Sequence, residues 1–65
     1  MSELERNIYD CLKMFGPCTV HTIQIKLDLR GIELDQLTIL NRCELMTRMK
    51  QIKEATGFHG RAFKV

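Results

Sequence analysis

The side chains best placed to do chemistry here are cations and amides near the C-terminal end, and what they offer is attraction to anions. From Arg42 to Val65, six basic residues (Arg42, Arg48, Lys50, Lys53, Arg61, Lys64) stand against two acidic ones, Glu44 and Glu54, a balance of +4. From Met1 to Asn41, four basic residues face six acidic ones, a balance of −2. Such asymmetry marks the end that would meet a polyanion; the plainer reading is a solvated face, and the coincidence of the cations with the last helix and hairpin tells against it. Lys53, His59, Arg61 and Lys64 lie in and around Gly57-Phe58-His59-Gly60, and glycines at a tip allow close approach to a ligand.

Bond-making chemistry has no support. No carboxylate pair, activated nucleophile or phosphate-cradling glycine loop occurs, and neither histidine has an orienting acid nearby. The reading is a non-enzyme without cofactor. Among Cys11, Cys18, His21, Cys43 and His59, only Cys18-x-x-His21 has ligand-like spacing, whereas structural zinc usually shows two such pairs. No metal is expected. Three cysteines at irregular spacing are not a disulfide framework, and reduced, mostly buried thiols are the simpler reading. Charges interrupt the apolar residues every few positions, so nothing reads as a signal peptide or a membrane span. A cytoplasmic protein is expected.

A chain of 65 residues makes one domain, 1–65, with a thin core. Ser2-Glu3-Leu4-Glu5 fits a capping box, and Leu4, Ile8, Cys11, Leu12 and Phe15 recur at helical spacing until Gly16-Pro17, which predicts helix 1 over about 3–15. Cys18-Thr19 can form a single strand-like rung. Thr19 can then cap helix 2, about 20–29, with Val20, Ile23 and Leu27 on its buried face. Arg30-Gly31 reads as a turn.

Helix 3 spans about 35–49, capped by Thr38 or Asp35, with Ile39, Leu40, Cys43 and Met46 inward. Opposite them, Thr38, Asn41, Leu45 and Arg48 form an outward stripe, with Arg42 at one edge and Glu44 at the other. Arg48 has an alternative role as the i, i+4 partner of Glu44. A hairpin over about 51–65 completes the chain, with a four-residue connection, Gly57–Gly60. Arg61, Phe63 and Val65 alternate with Ala62 and Lys64.

The order helix, rung, helix, turn, helix, hairpin resembles the winged-helix branch of the helix-turn-helix proteins. NIYDCLKMFGPCTVHTIQIKL in particular is similar to the opening half of small bacterial or phage winged-helix regulators, whose second helix carries T-V-x-x-I-x-x-x-L. The resemblance implies an α+β fold, a three-helix winged helix-turn-helix with a C-terminal β-hairpin wing. It also implies double-stranded DNA as partner, with helix 3 in the major groove and the wing at the backbone, in a transcriptional regulator. Thr38, Asn41, Arg42 and Arg48 would then face the groove, while Lys53, His59 and Arg61 would serve the wing. Arginine can hold guanine O6 and N7 bidentately, asparagine does so for adenine, and cations beside phosphates gain from counterion release. A homodimer or a larger regulatory partner is expected, because one such domain makes few contacts. The alternative is a winged-helix module that modulates a larger protein without touching DNA, favoured by outward Leu45 and Phe58. Two features depart from the family: a long DLRGIELDQLT connection, and no glycine between helix 3 and the first wing strand.

Overall fold

Ser2 fixes where the chain first turns helical. Its hydroxyl accepts the Glu5 amide at 3.2 Å, while the Glu5 carboxylate accepts the Ser2 amide at 2.7 Å, so two helix-start amides are satisfied reciprocally. In a computed structural model that describes all 65 residues, α1 then runs Glu3–Phe15 and buries Ile8, Cys11 and Leu12. Gly16, at φ 79°, ends it.

The next two residues are β1, Cys18–Thr19, and Thr19 at once becomes the cap of α2, Val20–Asp28. Its hydroxyl accepts the Thr22 amide at 3.1 Å. Thr19→Ala should therefore lower the unfolding free energy by about 1 kcal/mol in urea titration, and Thr19→Ser should restore most of it. α2 stops in a Schellman turn: the Ile32 amide donates to the Leu27 carbonyl, the Gly31 amide donates to that of Asp28, and Gly31 takes φ 79°.

α3 runs Gln36–Arg48, and Asp35 rather than Thr38 caps it. The Asp35 Oδ1 accepts the Thr38 amide at 2.7 Å. Ile39, Cys43 and Met46 are buried along it. Gln36, at its first position, donates to Gln24 and shares a hydrogen bond with His21 Nδ1, and Gln24 donates to the Leu34 carbonyl, so a polar strap ties the start of α3 to α2. α3 ends in a second Schellman turn, with the Gln51 amide on the Met46 carbonyl and the Lys50 amide on that of Thr47. Here the left-handed position is held by Lys50, at φ 60°, a conformation that disfavours a residue with a Cβ by about 1 kcal/mol relative to glycine. The glycine missing from the sequence is thus replaced by a strained lysine.

β2, Lys53–Ala55, and β3, Ala62–Lys64, form the hairpin, and β1 pairs with β3 from the other side, giving the antiparallel order β1-β3-β2. The register sets Cys18 and Glu54 beside Phe63, Thr19 and Ala55 beside Ala62, and Lys53 beside Lys64. The expected alternation of faces holds along β3, with Phe63 beside Cys18 and Glu54 and Ala62 beside Thr19 and Ala55, but burial does not follow it: Ala62 and Phe63 are both fully buried, while Arg61 and Val65 are exposed. β3 is the central strand, and the side chains of Thr19 and Ala55 on its two neighbours flank the small Ala62 methyl group. The connection is also longer than expected, running from Thr56 to Arg61 between the paired strands.

The chain is therefore α+β, with three helices and a three-stranded antiparallel sheet around one core. No helix is long and apolar enough to cross a membrane.

Candidate functional site

The exposed face of α3 is built by its buried one. With Ile39, Cys43 and Met46 held in the core, the 100° step of the helix turns Thr38, Asn41 and Arg48 outward. Leu45, 37 % exposed, lies among them, and Leu37, 65 % exposed, stands one turn before Asn41. Leu37 was outside the expected stripe. Fixing the cap at Asp35 would have revealed it, since the i, i+4 partner of Asn41 is then already helical.

Arg61 does not reach out from the hairpin. Its Nε donates to Glu54 Oε2 at 2.6 Å, its Nη2 to Glu54 Oε1 at 3.2 Å, and its Nη1 to Glu44 Oε1 at 3.3 Å. The guanidinium also lies 5.7 Å from the centroid of the Phe63 ring. One arginine thus joins the hairpin to α3, and the carboxylates raise its pKa, Glu54 foremost. Glu44 serves Arg61 and forms no ion pair with Arg48, contrary to the i, i+4 alternative.

Arg42 leaves the stripe in another direction. Its Nη1 stands 3.6 Å from the Glu5 carboxylate on α1. The Ser2 amide, then the Ser2 hydroxyl and Arg42, hold the Glu5 carboxyl below its ordinary 4.5. A lowered folded-state pKa gives stability that is present above that ordinary value and lost as pH falls through the folded one. Glu5→Gln should accordingly flatten the acid limb of melting temperature against pH below about 4.5, as read by circular dichroism.

Arg48 has no carboxylate within ion-pair distance, nor do Lys50, Lys53 and Lys64. Arg48 lines a shallow polar cleft with Glu44, Thr47, Glu54 and Arg61. His59 and Phe58 are exposed in the hairpin connection, Phe58 by 45 %. Of the seven expected site residues, Thr38, Asn41 and Arg48 share the outer face of α3. Lys53, His59 and Arg61 belong to the hairpin, and Arg42 is turned to α1.

No family model, curated protein or solved structure matches the chain.

The cysteines contribute packing. Cys11, Cys18 and Cys43 are free and buried, and no group of three or more metal-ligating side chains is assembled. Burial pushes the Cys43 thiol up to about 12 and that of Cys11 up to about 11, and raises Cys18 as well. All three should resist iodoacetamide in the native protein and react together at the rate of unfolding.

Proposed function

We propose that the chain is a small winged-helix protein that binds double-stranded DNA and serves as a transcriptional regulator. α3 enters the major groove with Thr38, Asn41 and Arg48, and the β2–β3 hairpin is the wing beside it. One observation carries this reading: Arg48 stands unpaired on the exposed face of α3, two turns along from Asn41, while the acids that line its cleft are taken up by Arg61. A free guanidinium and a carboxamide on one helix face are groups that read guanine and adenine edges. Arg42, paired to Glu5, supports α1 in this scheme rather than reading bases.

A module of this size makes few phosphate contacts, so a second copy or a larger regulatory protein shares the operator with it. The place of such work is the cytoplasm. A second reading, a module that docks on another protein through the same face, is favoured by Leu37, Leu45, Met49 and Phe58, which are 65 %, 37 %, 62 % and 45 % exposed.

The deciding experiment is an anisotropy titration of a random-sequence duplex at about 50 mM and about 200 mM salt. Binding that weakens steeply with salt is expected. Absence of binding at the lower salt would reject the DNA reading and send the search to protein partners.

A further inference from the structure

The molecule has two unlike ends, and each carries an uncovered apolar feature. At one end, Leu4 and Asn7 on α1 and Ile32 and Leu34 in the α2–α3 connection line a groove of about 270 Å³, with Glu3 beside them. Glu33 stands between Ile32 and Leu34 in the chain. It is exposed, as Glu3 is, and neither carboxylate has an ion-pair partner. At the other end, Phe58 and His59 are exposed in the β2–β3 connection, and no acid occurs from Ala55 to Val65.

Two helices keep these features apart. The groove belongs to the first turns of α1 and to the residues after α2, where the Ile32 amide donates to the Leu27 carbonyl. The hairpin connection is rooted at the opposite end of both helices. Its Arg61 carbonyl accepts the amide of Val20, the first residue of α2, and β3 pairs with β1, which follows the end of α1. α2 has nine residues, a length of about 13 Å. The connection therefore starts about one helix length from the groove of its own chain, whereas the groove of a second copy is open to it.

Size and charge select the occupant. The groove falls short of the roughly 300–1,000 Å³ of small-molecule sites, yet its three apolar side chains suit a single aromatic ring. An imidazole next to that ring can donate an N–H to a glutamate at the rim in either protonation state. Phe58-His59 supplies both groups. We infer that Phe58 of one copy seats in the groove of Leu4, Ile32 and Leu34 on another, with His59 at the rim formed by Glu3 and Glu33. The two surfaces differ, so the contact is heterologous and copies add head to tail in an open series. It uses none of Thr38, Asn41 and Arg48, so it goes beyond the DNA reading and its test needs no duplex.

The test is sedimentation velocity of the full chain from about 10 µM to about 1 mM, the range of a small interface. The parent should populate dimers and longer species reversibly as concentration rises. Phe58→Ser removes the ring, and Asn7→Trp fills the groove. Each should weaken association about tenfold or more while melting like the parent. Mixed, the two variants should recover a one-to-one complex and nothing larger, because each keeps the half that the other lacks. If Asn7→Trp melts lower, Glu3→Lys with Glu33→Lys, which replaces both rim acceptors by groups that only donate, takes its place in the mixture. A parent that stays monomeric throughout overturns the proposal, whatever the duplex titration gives. So does a Phe58→Ser chain that associates like the parent, or a mixture of the variants that stays monomeric.

Discussion

Phe63→Ala is expected to leave the chain unfolded in buffer at room temperature. Phe63 is the largest fully buried side chain, and it sits on the central strand, flanked by Cys18 on β1 and Glu54 on β2. Truncating a buried phenylalanine to alanine typically removes about 3–5 kcal/mol, through lost burial and the cavity left behind. A core of this size supplies no more than about 3–5 kcal/mol in total. The two quantities cancel. The variant should show a coil-like far-ultraviolet circular dichroism spectrum and collapsed amide dispersion by NMR. Phe63→Leu, which keeps more of the volume, should fold with a lowered urea midpoint. A folded Phe63→Ala with the parent's midpoint would show that β3 is not the keystone of the core.

The second large effect is a crossed pattern between two arginines of one cleft. Under the proposed function, Arg48→Ala should cost duplex affinity about tenfold or more, as expected for a lost bidentate contact of roughly 1–3 kcal/mol. Its melting temperature should stay close to the parent's, because Arg48 has no partner in the fold. Arg61→Ala should do the reverse first. It frees Glu44 and Glu54, removes the link between hairpin and α3, and takes the guanidinium off the Phe63 ring, so the melting temperature should fall. Binding should fall too, through two unmasked carboxylates beside Arg48 that repel phosphate. Glu44→Gln and Glu54→Gln in the Arg61→Ala background should restore affinity without restoring stability. Recovery of neither would mean that Arg61 touches the duplex itself.

How much of this could be read from the sequence depended on how local the signal was. The starts of α1 and α2 were readable because each is set within three residues, by Ser2 with Glu5 and by Thr19 with Thr22. The start of α3 was ambiguous because Asp35 and Thr38 are both good caps, and only packing of Ile39, Cys43 and Met46 chooses between them. Arg61 could not be assigned, since its partners lie 7 and 17 residues away and become neighbours only when the hairpin folds against α3. Lys50 was missed for the opposite reason: the turn it makes is local, but lysine is not the residue that announces it. The buried Ala62 was hidden by period-two logic, which holds where only one face of a strand is covered.

The two-residue strand β1 has a temporal consequence. Its only pairing is with β3, between Cys18 and Phe63 and between Thr19 and Ala62, so residues far apart in the chain must meet before the sheet has three strands. Closing so long a loop carries an entropic penalty that local helix contacts cannot offset early. On the ribosome, α1, α2 and α3 would emerge one after another with no central strand to pack against. Until residues 62–64 are free to pair, the nascent chain is therefore a set of fraying helices, and sheet and core then form together.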